Sequence, residues 1–163
     1  MSELKMGPGK TNEWYTPPEI FEGLNVKFDL DPCSSGDRKD FVPAKKVFTK
    51  KDNGFEKEWK GFVFMNPPFG GRNGVVPWLE KFIKHGNGIA IARAYTSAGW
   101  FHDHIPNVDA ILFPRGKTQF IRADGTVGKG PSSGIVLIAC GKRAMKILKN
   151  SGLGIYFEVK KNG

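Results

Sequence analysis

Between residues 75 and 85 the apolar positions Val75, Val76, Trp78, Leu79, Phe82 and Ile83 recur three and four apart. That spacing predicts a helix with one buried face, closed by Gly86 and Gly88. Elsewhere the apolar residues come in short runs bounded by Pro, Gly and Asp, which predict strands: "VKFDLDP", "KKVFT", "GFVFM", "GIAIARA" and "DAILFP". "KTQFIRADG" and "SGIVLIACG" read as two further strands joined by a Gly-rich linker. "TPPEIFEGLN" opens a helix, with Thr16 as its N-cap, prolines in the first turn and Glu19 three residues after the cap. "SAGWFHDHI" and "KRAMKILKN" predict a short helix stopped before Pro106 and a basic helix, and "CSSGDRKDFVPA" predicts a loop or at most a turn or two of helix.

Strands that alternate with helices predict an α/β fold: a mixed, mostly parallel sheet flanked by helices, whose last two strands form an antiparallel edge hairpin. At 163 residues the chain is expected to be a single domain spanning 1–163. About twenty residues follow the last predicted strand, too few for a separate target-recognition domain. "MSELKMGPGK" and "KKNG" read as frayed ends. In open α/β sheets ligands bind beyond the carboxyl ends of the strands. Four successive predicted strand ends, "LDP", "TKKDNG", "MNPPFG" and "RAYTS", carry polar, turn-forming residues. They are expected to form one rim.

Charge sharpens this picture. The net charge of +9 points to a polyanionic partner, nucleic acid first. Cys33 and Cys140 have neither disulfide-framework nor zinc spacing, and no signal peptide precedes them, so they are expected to be reduced thiols in a cytoplasm. No metal site is expected, and no apolar run is long enough to span a membrane.

The stretch "FVFMNPPFG" carries the candidate chemistry. Pro68 has no amide hydrogen and holds Pro67 extended, leaving the Pro67 carbonyl available as an acceptor. Asn66 brings a second acceptor through its side-chain oxygen, and Phe69 a flat ring. Two acceptors and a stacking face suit a planar aromatic amine. Such an amine is a poor nucleophile because its lone pair is delocalised. Bonding both its hydrogens lets the nitrogen pyramidalise as it attacks.

The ordered set "EWYTPPEIF", "FDLDPCSS", "FTKKDNGFEKEWKGFVFMNPPFG" and "RAYTSAGWFH" resembles the S-adenosylmethionine-dependent DNA adenine N6-methyltransferases, in particular the short enzymes of phages and prophages, from about residue 12 to residue 141. The resemblance implies a Rossmann-like methyltransferase fold and direct methyl transfer to the N6 amine of an adenine flipped out of the duplex, in the cytoplasm of a bacterial host. It assigns Asn66 and Pro67 to the amine, Pro68 to the rigidity of the turn and Phe69 to base stacking. It places Thr16 on the methionine carboxylate of S-adenosylmethionine, Asp31, Pro32 and Cys33 around the methionine, and Asp52 and Asn53 on the cofactor's adenine. Asp29 is an alternative to Asp31. The chain departs from the pattern after the first strand, where "DPCSSGDR" replaces a glycine-rich loop.

Arg93, Arg115, Lys117 and Arg122, interleaved with Tyr95, Trp100 and Phe120, are the candidate DNA contacts, and "RGKTQFIRADGTVGKGPSSG" the substrate-facing loop. Sequence specificity then comes from short loops, or from a dimer or a phage partner protein. Two rivals share these residues: an amino-methyltransferase acting on cytosine, RNA or protein glutamine, and an inert nucleic-acid-binding relative.

Overall fold

The computed structural model describes residues 14–37, 40–68, 73–128 and 133–161. The frayed start expected at 1–10 lies outside them, as do 162 and 163 of the frayed end expected at 160–163; Lys160 and Lys161 are described, and Lys161 Nζ donates to the Val108 carbonyl at 2.7 Å. In chain order the elements are β1 (Trp14–Tyr15), α1 (Pro18–Leu24), β2 (Phe28–Asp31), β3 (Ala44–Val47), β4 (Val63–Met65), α2 (Val75–His85), β5 (Gly88–Arg93) and α3 (Gly99–His104), the last continued by a 3-10 turn (Ile105–Asn107). Then follow β6 (Ala110–Pro114), β7 (Ile121–Arg122), β8 (Ile135–Cys140), α4 (Lys142–Asn150) and β9 (Gly154–Glu158).

Seven strands form one mixed sheet in the order β3-β2-β4-β5-β8-β6-β9. The pairings β2–β3, β2–β4 and β4–β5 are parallel; β5–β8, β8–β6 and β6–β9 are antiparallel. The mixed sheet and flanking helices are as expected, but the edge hairpin is not. β8 lies inside the sheet, paired over all six residues with β5 and also with β6. All six of its residues are buried, because helices cover both faces there. "KTQFIRADG" contributes only the two residues of β7, which leave the sheet and pair antiparallel with β1. The edge beside β6 is instead taken by β9, whose "GIYFE" was not foreseen as a strand.

Two cores lie on the two faces. On one, α1 (Ile20, Phe21, Leu24) and α4 (Ala144, Leu148) pack on Phe28, Phe62, Phe64, Ile89, Ile91 and Leu137. On the other, α2 (Leu79, Phe82) and α3 (Trp100, Phe101) cover Leu30, Val63, Met65, Ala90 and Val136. The alternation of β5 and β8 sorts their residues between these layers. In β2 it breaks: the Phe62 carbonyl accepts from both the Asp29 and the Leu30 amides, at 2.8 and 3.3 Å, as at a bulge. Phe28 and Leu30 therefore face opposite cores.

Helix α2 matches the predicted span to the residue and ends on left-handed Gly86. The N-terminus of α1 differs from expectation. Pro17, not Thr16, occupies the N-cap, and no side chain caps the helix. Thr16 is 1% exposed and its hydroxyl is engaged elsewhere.

Candidate functional site

From β2 the chain runs outward to β3 and then returns across β2 to β4. This reversal opens a crevice between the carboxyl ends of β2 and β4, where open α/β sheets bind ligands. The ends of those strands are Asp31 and the "NPP" turn. A cleft of about 540 Å³ occupies the place. Its wall is built from Asp31, Pro32, Cys33, Ser34 and Ser35 after β2, from Thr49, Lys50, Asn53 and Gly54 after β3, and from Asn66, Pro67 and Pro68 after β4. Trp14 and Tyr15 of β1 and Trp78 of α2 complete it, with Asp40 and Val42.

Asn66 has one determinate orientation. Its Nδ2 donates to the Trp14 carbonyl at 3.0 Å and to the Thr16 hydroxyl at 3.1 Å. A carbonyl can only accept, so the amide nitrogen is the atom that faces Trp14. Among the described residues Oδ1 is left buried without a hydrogen-bond partner. An unpaired buried acceptor costs about 1–3 kcal/mol, a cost that a donor arriving with a ligand removes.

Asp31 is 2% exposed, and among the described residues it forms no ion pair. Desolvation, followed by the nearby Asp40 carboxylate, pushes its pKa up to about 8 against one opposing hydrogen bond, donated by the Cys33 amide at 3.0 Å. Its carboxyl is therefore largely protonated at neutral pH, and a bound cation would return it to the charged form. The Cys33 thiol is driven well above its ordinary range by burial, with Asp31 and Asp40 adding to it. It is not a thiolate nucleophile.

In place of a glycine-rich loop, Asp40 folds "SSGD" onto itself. Its Oδ2 accepts from the Ser35 amide at 3.0 Å, the Ser35 hydroxyl at 3.1 Å and the Ser34 hydroxyl at 3.3 Å. The turn after β3 closes against it at Gly54, where a Cβ would fall on the Pro32 carbonyl oxygen. Only glycine permits that approach.

The structure thus gathers Asp31, Pro32, Cys33, Asn53, Asn66, Pro67 and Pro68 around one cleft. Thr16 and Asp52 are not in its lining. Asp52 is exposed, and its Oδ2 accepts from the Thr49 amide at 2.8 Å and hydroxyl at 3.0 Å, bonds that hold its pKa below the usual carboxylate value. Asp29 also stands away from the cleft, bound by the Phe62 amide at 2.8 Å and by Lys45 Nζ at 3.1 Å. Phe69 lies outside the described residues.

None of Arg93, Arg115, Lys117 and Arg122 lines the cleft. They lie along the same edge of the sheet. β6 runs with β5, so the carboxyl end of β6, which Arg115 follows, and the start of β8 lie on that side. Arg93 donates to the Tyr95 hydroxyl at 3.0 Å, Arg115 and Lys117 are exposed, and Arg122 sits 5.2 Å from the centre of the Trp14 ring while donating to Thr126 Oγ1 and the Val127 carbonyl. Tyr95 is exposed, but Trp100 and Phe120 are core residues, which corrects their expected place on the binding surface.

Sequence reasoning missed Trp14, Tyr15, Asp40 and Trp78. Trp78 belongs to the apolar stripe of α2, and Trp14 reaches the site by pairing with β7, neither of which has a local signal. Among the described residues no three metal-ligating side chains cluster, and no helix is long and apolar enough to cross a membrane. Residues 5–148 match the family model described as DNA N-6-adenine-methyltransferase (Dam). No curated protein and no solved structure matches the chain significantly.

Proposed function

The chain belongs to the DNA N-6-adenine-methyltransferase family, and from that premise we propose how its own residues serve adenine-specific methylation of DNA. The observation that carries the reading is the buried, unpartnered Oδ1 of Asn66 at the carboxyl end of β4. Oδ1 and the Pro67 carbonyl each accept one hydrogen of the adenine N6 amine, drawing its lone pair out of conjugation and stabilising the positive charge that grows on nitrogen. Pro68, exposed and without an amide hydrogen, keeps the turn extended. Phe69 stacks on the flipped base. The N6 proton leaves to solvent after transfer, so no tuned general base is needed.

S-adenosylmethionine, when bound, supplies the methyl group on its sulfonium. The residues present fit it: Asp31 is a buried carboxyl with no cation of its own, as an ammonium-binding group should be, and Pro32, Cys33 and Asn53 line the same cleft. Asp52 contributes by holding Thr49, which does line the wall. A sheet in which an antiparallel strand, β8, is inserted between β5 and β6, which run the same way as β2, β3 and β4, supports a Rossmann-like methyltransferase fold. Arg115, Lys117 and Arg122, together with Arg93, track the phosphates beside the cleft, and the chain reads its target through short loops as a single unit.

Millimolar S-adenosylmethionine is expected to raise the melting temperature of the protein by several degrees. An unchanged melting temperature would contradict the cofactor assignment and favour a DNA-binding protein without turnover.

A further inference from the structure

We infer that Thr16 is a positioning residue for the reaction: with the Trp14 carbonyl, its hydroxyl fixes the Asn66 carboxamide so that the oxygen, and not the NH2, meets the target amine. The inference rests on the reading of Asn66 as the amine's acceptor. A primary amide keeps nearly the same shape when its terminal torsion turns by half a revolution, so packing alone distinguishes the two orientations poorly. In the wrong one Asn66 would offer donors to an amine that is itself a donor.

The Trp14 carbonyl, at 3.0 Å, can only accept and sets the sense of the amide; the Thr16 hydroxyl, at 3.1 Å on the same side, accepts the second NH2 hydrogen and so holds the amide in that sense. Thr16 is available because the N-cap of α1 falls to Pro17. It is buried and outside the cleft lining, the place of a residue that acts through another. Trp14 is fixed in turn by pairing with Arg122, by the Arg122 guanidinium over its ring, and by Gly128, where a Cβ would meet Trp14 Cζ3 at 2.6 Å. The catalytic amide and the loop that follows β6 therefore share one anchor.

Thr16→Val keeps the shape and removes the hydroxyl, while Thr16→Ser keeps the hydroxyl and removes the methyl. Thr16→Val is expected to lower kcat about tenfold or more. KM for DNA, KM for S-adenosylmethionine and the melting-temperature rise produced by S-adenosylmethionine should stay as in wild type. Thr16→Ser should restore kcat.

Full kcat in Thr16→Val overturns the inference. So does a raised KM for S-adenosylmethionine with kcat retained, which would make Thr16 a cofactor contact, or a Thr16→Ser enzyme as impaired as Thr16→Val. If Thr16→Val does not fold, Thr16→Ala against Thr16→Ser carries the same comparison. Wild-type turnover is read in the same assay. Its absence would count against the function itself, whereas full turnover in Thr16→Val counts against Thr16 alone.

Discussion

Asn66→Ala is expected to reduce kcat by about two orders of magnitude or more while leaving the fold and S-adenosylmethionine binding intact, the size of effect seen when one preorganised acceptor or donor is lost from a charge-developing site. The carboxamide gives its NH2 to Trp14 and Thr16 and holds only Oδ1 in reserve. Truncation removes that reserve acceptor; in the proposed site the amine would then keep one partner, the Pro67 carbonyl, and could not pyramidalise with both hydrogens bonded. Truncation also leaves the Trp14 carbonyl and the Thr16 hydroxyl short of a donor, at a cost of about 1–3 kcal/mol in stability. A modest fall in melting temperature with unchanged cofactor affinity is the expected accompaniment. A variant that loses cofactor affinity in proportion to its rate would place Asn66 in the cofactor site instead.

Asp31→Asn carries the second large effect, and it acts on stability and binding in opposite directions. Asp31 titrates near 3.8 in an unfolded chain and at about 8 in the folded one. Between those values the folded state holds the extra proton, so stability falls as pH rises through this window and is lowest, as far as this group goes, above pH 8. Asparagine has nothing to ionise and its Oδ1 can still accept from the Cys33 amide. The cofactor-free variant should therefore melt higher than wild type at pH 8–9, by a margin that shrinks as pH falls and closes only below about pH 4.

In the proposed pairing the ammonium of S-adenosylmethionine requires the ionised carboxylate of Asp31. Affinity should weaken roughly 30-fold or more in the variant, as when one member of a buried charge pair is removed. Wild-type binding at pH 7 should release close to one proton, which calorimetry in buffers of different ionisation enthalpy measures. The variant should release less. Wild-type affinity in Asp31→Asn, or binding at pH 7 without proton release, would contradict the pairing.

Much of this arrangement was legible in the residues. The stripe from Val75 to Ile83 defined α2 because an amphipathic helix writes its period into the chain. Polar turns at the ends of β2, β3 and β4 located the cleft, because side chains beyond strand ends have no core to join. Sheet order was less accessible. The run "IVLIAC" is apolar at every position, which is the mark of a strand covered on both faces, and such a strand belongs inside a sheet, not in an edge hairpin.

β1 and β7 are two residues each and pair with one another; "KTQFIRADG" reads as a strand around β7, but no local pattern marks β1 or the pairing between them. The same limit applies to single side chains. A threonine before two prolines has the local signature of a helix cap, but the group that uses its hydroxyl is Asn66, fifty residues on. Asp52 shows the converse, a carboxylate that accepts from Thr49, three residues back in its own turn.

The most direct test of the account is to incubate the protein and Asn66→Ala in parallel with unmethylated DNA and S-adenosylmethionine labelled in its methyl group, digest the DNA to nucleosides and locate the label. The account predicts label in N6-methyladenine from the wild type and none above background from Asn66→Ala. Label on another base, or equal label from both proteins, would contradict it.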